Sequence, residues 1–202
     1  MSHSKKENGN AKVKIKKGDY GYLKAHRKSV ILRTLLYFGI SIAVFILGWV
    51  SSKTKANLMT VIAMLGMLPA SKSLVEVILF LRAKDCSEDI YRQTKEHAGD
   101  LPMAYELLLT SYEQNYPISS IACISNIVCG YAEDPKCDVV AAKKHIMGIL
   151  KQNAFKPGIE IYKEFTTYLN RLDALTKMEP DPDTIDHSDE ILNIIKAISI
   201  GS

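Results

Sequence analysis

Two apolar stretches dominate the hydrophobic pattern of the first half of the chain. The first has no charged residue over the 19 positions 34–52, and the second has none over the 16 positions 56–71. As a helix, the first stretch is about 28 Å long, which matches the ~30 Å hydrocarbon core of a bilayer. The connection between the stretches is short, as in a helical hairpin. The pattern therefore predicts two transmembrane helices joined by a tight loop.

The second apolar stretch permits two interpretations. In one, a single span covers 57–81, and Lys72 and Glu76 form an i,i+4 ion pair that faces the first helix and lowers the cost of charge in lipid. In the other, a shorter span ends near Lys72, and an interfacial helix continues to Arg82. We favour the single span, and Pro69 is a position at which either version can kink.

Beyond residue 85 the pattern changes to short apolar strands and amphipathic helices. The predicted elements are a helix that Ser87 caps and Gly99 ends, strands over 103–110, 118–124 and 127–132, a helix over 138–152, a strand over 159–162, a helix to about 177 and a last helix over 186–200. Ser125 and Asn126 form a two-residue hairpin connection, and Asp138 is placed to cap the helix that follows. The predicted fold is a two-helix transmembrane hairpin plus an α+β cytoplasmic domain in the order αβββαβα.

Charge divides the chain along the same line. Residues 1–81 carry 13 Lys and Arg and 3 acids, a net charge of +10, whereas residues 82–202 carry 13 Lys and Arg and 19 acids, a net charge of −6. The predicted parts are a basic N-terminal tail (1–32), the hairpin (33–82, with spans at about 34–52 and 57–81), the α+β domain (85–178) and an acidic linker with a C-terminal helix (179–202).

The distribution of Lys and Arg around the hairpin predicts its orientation. Basic residues are concentrated before the first span and after the second, so both termini are expected in the cytoplasm, with Lys53 and Lys55 at the outer tip. The basic tail is expected to attract anionic lipid head groups. Within it, GDYGYL at Gly18–Leu23 is predicted to be a turn that places Tyr20 and Tyr22 at the lipid interface. No aromatic platform or known motif accompanies the charge, so nucleic-acid binding is not expected.

Catalytic chemistry has little support in the sequence. The αβββαβ order of the first six domain elements is that of the restriction-endonuclease-like core, whose active members hold Mg²⁺ with an acid on the second strand and E-x-K on the third. The corresponding strands here, ISSIACI and IVCGYA, contain no carboxylate and no lysine. Candidate acids remain only in loops, at Glu133, Asp134 and Asp138. We therefore predict no catalytic residue, no metal site and no cofactor.

The cysteines are predicted to be structural. Cys86, Cys123, Cys129 and Cys137 lack the C-x₂-C and C-x₄-C spacings of zinc sites. In a cytoplasmic domain they are expected to be reduced thiols, with Cys123 and Cys129 in the core. A catalytic pair of Cys137 and His145 is the remaining nucleophile hypothesis.

Four stretches resemble one family. GDYGYL, NLMTVIAMLGMLPASK, CGYAED and LKQNAF are similar to uncharacterised small two-span membrane proteins of Gram-positive bacteria, which are sometimes loosely labelled O-linked GlcNAc transferase-like. The chain has neither the long donor-binding domain nor the helical repeats that such an activity needs. The resemblance implies a bacterial cell-membrane protein and no catalytic motif.

These features favour a membrane-anchored cytoplasmic binding or scaffold domain. Its expected partners are the bilayer and a cytoplasmic protein or a second copy of the chain. One alternative is a small membrane-anchored enzyme, transferase-like or degenerate nuclease-like. The other is a subunit of an oligomeric transport complex, because two spans need oligomerisation to form a pathway.

Overall fold

A computed structural model describes residues 15–52, 58–112, 114–178 and 186–200. These residues form six helices and a mixed four-stranded sheet. In chain order the elements are α1 (Tyr22–Ser52), α2 (Leu58–Arg82), α3 (Glu88–Ala98), β1 (Met103–Thr110), β2 (Asn115–Ile124), β3 (Ile127–Tyr131), α4 (Val139–Gln152), β4 (Gly158–Tyr162), α5 (Phe165–Thr176) and α6 (Ser188–Ile198). The predictions for residues 1–14 of the tail, for the tip at Lys53 and Lys55, and for 179–185 of the linker lie outside the described residues.

Helices α1 and α2 pack side by side as an antiparallel pair, and each is long and apolar enough to cross a bilayer. Small side chains form their contact. Ala63 and Ala70 are buried, and a Cβ added at Gly66 would lie 2.7 Å from Ser41 Oγ. Close backbone approach of this kind stabilises helix pairs in lipid, where the hydrophobic effect does not drive helices together.

Helix α2 continues through Pro69 to Arg82 as one element. Its Glu76 carboxylate pairs with the Arg33 guanidinium of α1 and not with Lys72. The predicted i,i+4 ion pair is therefore wrong. Packing of the two helices places a guanidinium of the facing helix against the carboxylate.

Helix α1 begins at Tyr22, well before the predicted span. The described part of the predicted tail is therefore mostly helix. Tyr20 stacks on Tyr91 of α3 with ring centroids 4.1 Å apart, and Tyr22 lies in a buried cluster with Phe80 and Leu108. Both rings therefore pack against other parts of the protein, and their position at the lipid interface stays a prediction.

The sheet has the order β1-β2-β3-β4. Strands β1, β2 and β3 form an antiparallel meander, and β4 returns parallel to β3 after α4. Ser125 and Asn126 have φ values of 47° and 60°, as a type I′ turn requires, so the predicted two-residue connection is confirmed. Asp138 Oδ1 accepts hydrogen bonds from the N–H groups of Val140 and Ala141, which confirms the predicted cap of α4.

Helices cover both faces of the sheet. One core cluster joins the sheet to α4 and α6 and includes Ile121, Ile146 and Ile195. The other joins it to α3 and α5 and includes Ala122 and Leu172. Neighbouring residues of β2 belong to different clusters because successive side chains of a strand point to opposite faces. The central strand is therefore buried on both sides.

The four cysteines are buried free thiols, as predicted for the two on strands. Burial raises the pKa of Cys123 to about 11 and the pKa of Cys129 to about 12. At neutral pH both therefore stay protonated and behave as small apolar core residues.

Candidate functional site at the hairpin–domain junction

The hairpin meets the domain at a junction. We define the junction as residues 16–27 at and before the start of α1, residues 76–85 at the end of α2, the strand β1, and the chain after α6 at Ser199 and Ile200. Ile200 N–H donates to the carbonyl oxygen of Leu108 in β1 at 2.9 Å, so the chain after α6 is fixed to the sheet.

The GDYGYL stretch, Gly18–Leu23, is the joint through which the chain enters α1. The N–H of Tyr105 in β1 donates to the Gly18 carbonyl oxygen at 2.7 Å. Gly18 has a φ of 93°, and a Cβ added there would lie 2.8 Å from Lys196 Cε of α6. Glycine at this position therefore permits both the left-handed backbone and the close approach of α6. The GDYGYL stretch thus has a structural role in this chain.

Glu106 of β1 is the buried carboxyl group of the junction, with 4% of the residue exposed. Its Oε2 accepts a hydrogen bond from the Leu23 N–H, in the first turn of α1, at 2.9 Å. The N–H groups of Gly21 and Cys86 also favour the carboxylate, but burial is the larger effect and raises the pKa of Glu106. The carboxyl group thus occupies the N-terminus of α1, where helix N–H groups lack partners and the dipole favours an anion.

Glu106 also has a φ of 54°, although it lies within a strand. A left-handed backbone costs a residue other than glycine about 1–2 kcal/mol. Such φ values persist only where surrounding contacts impose them. The contacts of the junction therefore hold Glu106 in the conformation that caps α1.

Arg27 of α1 closes the end of α2. Its guanidinium donates to the carbonyl oxygens of Phe80 and Ala83, each at 3.2 Å, and to the Asp85 carboxylate at 2.8 Å. Carbonyl groups at the end of a helix have no partner within the helix. The Arg27 side chain therefore satisfies two carbonyl groups at the end of α2. Through Asp85, it also holds the segment that connects α2 to α3.

The loop acids that the sequence singled out have structural partners. Glu133 forms an ion pair with Lys84 at 2.8 Å and accepts a hydrogen bond from the Ser87 hydroxyl at 2.6 Å. Burial acts to raise the pKa of Glu133, but these two partners outweigh it and the pKa is lowered. Asp134 accepts an N–H of its own loop at 2.9 Å, and Asp138 caps α4. Ser87 precedes α3 as predicted, but its hydroxyl donates to Glu133 and does not cap the helix.

Glu106, Glu133 and Asp134 line one small cleft, together with Lys84 and Ser119. Its volume is about 10 Å³, the space of about one water molecule. Within the described residues, no group of three or more His, Cys, Asp or Glu side chains could hold a metal ion. The arrangement suits a capping network at the starts of α1 and α3.

The structure does not bring Cys137 and His145 together as a nucleophile and base. Burial raises the pKa of Cys137 to about 11, whereas a reactive thiol needs a lowered value. The His145 ring instead lies against Tyr116, with ring centroids 5.7 Å apart. No hydrogen bond joins Cys137 to His145 in the described part of the chain.

Sequence reasoning missed Glu106 and Arg27. Glu106 is the single charged residue in the apolar strand 103–110. That pattern signals a carboxyl group that needs a partner if both faces of the strand are buried. Arg27 left no comparable signal, because it is one of several basic residues expected next to a membrane.

A cavity of about 630 Å³ opens beside the junction, between α1, α2 and the end of α6. We call it the interhelical groove. Its charged lining is Lys17, Arg33, Lys72 and Glu76, and its other lining residues are Tyr37, Pro69, Ser73, Val75, Leu79, Ala197, Ser199 and Ile200.

Three cations and one carboxylate therefore line this groove. The Lys17 ammonium donates to the Ser199 carbonyl oxygen, and burial lowers the pKa of Lys17. The Arg33 guanidinium pairs with Glu76, but Arg33 Nε is buried and has no hydrogen-bond partner. Lys72, one turn before Glu76, is exposed and forms no salt bridge with a described residue.

No protein-family model matches the chain, and neither a curated protein nor a solved structure matches it.

Proposed function

We propose that α1 and α2 anchor this protein in the cell membrane and hold its α+β domain against the cytoplasmic face as a binding or scaffold module. The junction is the observation that carries the proposal. Glu106 caps the start of α1, Arg27 donates hydrogen bonds to carbonyl oxygens at the end of α2, and the Gly18 carbonyl oxygen accepts a hydrogen bond from β1. A domain on a flexible tether would need none of these contacts, so the junction supports a domain held at a fixed height and orientation.

The exposure of the two long helices supports anchoring in a membrane. In each helix, only 17% of the most apolar 18-residue stretch is buried. The core helix of a soluble protein is mostly buried, whereas here large aliphatic side chains such as Leu35, Val50 and Leu58 are at least 70% exposed. Lipid is the solvent in which such a surface is stable.

The register of the helix pair supports a second span shorter than 57–81. Thr34, which opens the uncharged run of α1, shares a hydrogen bond with Ser73 of α2 at 2.5 Å. A bilayer whose inner boundary lies at Arg33 therefore ends on α2 near Ser73. Residues 74–82 then lie beside the basic start of α1, at the level of the head groups and the cytoplasm.

We also propose that the α+β domain has a restriction-endonuclease-like core in the order αβββαβα and lacks that core's catalytic set. The antiparallel meander β1-β2-β3 and the parallel return of β4 support this relation. The positions that would hold Mg²⁺ are apolar or small, and Glu133 serves to pair with Lys84 and Ser87. A core that has apolar or small residues in place of the metal ligands keeps its fold without the catalytic set, which suits the proposed binding or scaffold module.

Cysteine accessibility in intact cells tests the anchoring. The four native cysteines are buried, so an introduced thiol reacts against a low background. Ser51→Cys, at the outer end of α1, should react with a membrane-impermeant maleimide, and Ser4→Cys should react only after lysis. The opposite pattern would reverse the topology, and protection of both sites in intact cells would contradict a hairpin that crosses the membrane.

Crosslinking of membrane-embedded protein tests the junction. The Tyr20 and Tyr91 rings stack at 4.1 Å, so the pair Tyr20→Cys and Tyr91→Cys should be joined by a short bifunctional thiol reagent. The control pair Tyr20→Cys and Tyr112→Cys should not be joined. Tyr112 is fully exposed and lies after the last residue of β1, whereas the stretch around Tyr20 is hydrogen-bonded to Tyr105 near the first residue of that strand. Equal yields from the two pairs would indicate a domain that moves freely on a tether.

A further inference from the structure

We propose that the interhelical groove binds the phosphate of one anionic membrane phospholipid. Lys17, Arg33 and Lys72 surround the phosphate, and the acyl chains lie along the apolar surface of the hairpin. The inference rests on the proposed membrane anchoring and names the ligand of the groove.

The charge of the groove complements a phosphodiester. Glu76 engages one amino group of Arg33, which leaves the groove with two more cations than carboxylates. Arg33 Nε is a buried donor without a partner, and leaving such a group unpaired is costly. A phosphate oxygen supplies the acceptor that this donor lacks. Lys17 uses one of its three N–H groups on the Ser199 carbonyl oxygen, so two remain for a ligand.

The other walls of the groove fit a lipid better than a free phosphate. Val75 and Leu79 of α2 line it, and Tyr37 of α1 and Pro69 of α2 extend the wall in the direction of the outer loop. Val75 is 56% exposed, so this apolar wall is open to the surroundings. A water-soluble phosphate has no use for such a wall. The glycerol backbone of a phospholipid covers it at the level of the head groups, and the acyl chains continue past Tyr37 and Pro69 towards the hydrocarbon core.

The position of the groove also matches a head group. Arg33 is the last charged residue before the uncharged run of α1, and Lys72 stands one residue before the hydrogen bond between Ser73 and Thr34. This is the level at which the hydrocarbon core gives way to phosphates in the proposed orientation. Basic pockets between transmembrane helices on the cytoplasmic side are suited to anionic lipid head groups.

Native mass spectrometry of the full chain, released from nanodiscs with equal amounts of phosphatidylcholine and phosphatidylglycerol, tests the site. The wild type should retain one phosphatidylglycerol in preference to phosphatidylcholine. The double variant Lys17→Gln, Lys72→Gln should bind it about 30-fold more weakly, since each lysine near a membrane surface contributes about fivefold. Arg33 is left unchanged because it also pairs with Glu76.

The matched control is the double variant Lys24→Gln, Lys28→Gln, which removes the same charge from exposed positions of α1. It should retain phosphatidylglycerol as the wild type does. Equal losses in the two double variants would overturn the proposal in favour of diffuse attraction to the basic face. Displacement of the lipid by millimolar glycerol 3-phosphate would overturn it in favour of a site for free phosphates.

Flotation with vesicles of pure phosphatidylcholine separates this proposal from the anchoring on which it rests. A full chain that fails to float contradicts the membrane anchor itself. A chain that floats but retains phosphatidylcholine and phosphatidylglycerol equally contradicts only the groove as an anionic-lipid site.

Discussion

The hairpin and the α+β domain bury opposite kinds of side chain. Tyr168, Leu172 and Ile195 are fully buried in the domain, which is filled by large apolar groups. Between Thr34 and Ser73, away from the junction, the buried positions of the hairpin are instead small or hydroxylated, as at Ala70, and large aliphatic residues such as Leu35 and Leu68 face outwards. Water expels large apolar groups and lipid does not, so this contrast is the one expected of a hairpin in lipid, as proposed, beside a domain in water. Large apolar side chains therefore fill the core on one side of the junction, and small side chains fill the helix contact on the other.

Two built-in reporters allow the regions to be followed separately in detergent micelles. Trp49 is the single tryptophan and lies near the C-terminal end of α1. All four cysteines lie in the domain or its connection to α2, and all are buried. Fluorescence of Trp49 therefore follows the hairpin, and the rate of thiol labelling follows opening of the domain.

The largest effect is expected from truncating the domain core. Leu172→Ala removes a fully buried side chain of α5 and should lower the free energy of unfolding of the domain by about 2–5 kcal/mol. Thiol labelling should become correspondingly faster, while the Trp49 transition stays in place. The control Val140→Ala, at a position 76% exposed, should change stability by less than about 0.5 kcal/mol. An equal shift of both reporters would mean that hairpin and domain unfold as one unit.

An intermediate effect is expected from enlarging a residue in the helix pair. Gly66→Leu would drive a side chain into Ser41, and overpacking of this kind costs about 1–3 kcal/mol. Denaturation followed by Trp49 should shift to lower denaturant concentration, with little change in thiol labelling. Gly39→Leu is the matched control, because an added Cβ there meets no atom within 4 Å. If Gly39→Leu shifted the transition as far as Gly66→Leu, the contact at Gly66 would not be what holds the helices together.

The smallest effect is expected from pH, at the boundary between the regions. Burial raises the pKa of Glu106 above 4.5, so its stabilising contribution is full below that value and is lost as the pH rises through the folded pKa. The pKa of Glu133 is lowered, so its contribution is present above 4.5 and is lost as the pH falls through the folded pKa. The free energy of unfolding of the domain, followed by thiol labelling, should be measured from pH 3 to 8. The Glu106→Gln variant should lose the decline in stability at high pH, and the Glu133→Gln variant should lose the decline at low pH. Identical pH profiles in the two variants would contradict the opposite shifts.

Local rules were sufficient for much of the domain. The turn at Ser125 and Asn126 and the cap at Asp138 depend on neighbours within three residues, and both were predicted. Strand β2 begins at Asn115, earlier than predicted, and includes Pro117. Pro117 pairs with Leu108 of β1, but β3 pairs with β2 only from Ser120 onwards, so proline is tolerated because its β3-facing side has no strand partner.

Contacts between distant parts of the chain were beyond the sequence patterns. Leu23 and Glu106 are separated by 83 positions, and Arg33 and Glu76 by 43. Periodicity places each residue on an element but does not say which element faces it. The sequence pattern therefore favours Lys72, one turn from Glu76, as the partner of Glu76, and it assigns the basic start of α1 to a tail. The interhelical groove was missed for the same reason, because its cations come from three separate segments.

Helix α1 is one continuous rod of 31 residues, about 46 Å long at about 1.5 Å per residue. A rod acts as a lever: tilting it by about 10° about its outer end displaces its inner end by about 8 Å. Bilayer thickness influences the tilt of membrane-spanning helices. Because Glu106 and Arg27 lock the inner end of the rod to β1 and to the end of α2, the domain travels with it. In the proposed orientation, a change in membrane thickness thus becomes a change in where the domain presents its surface to the cytoplasm.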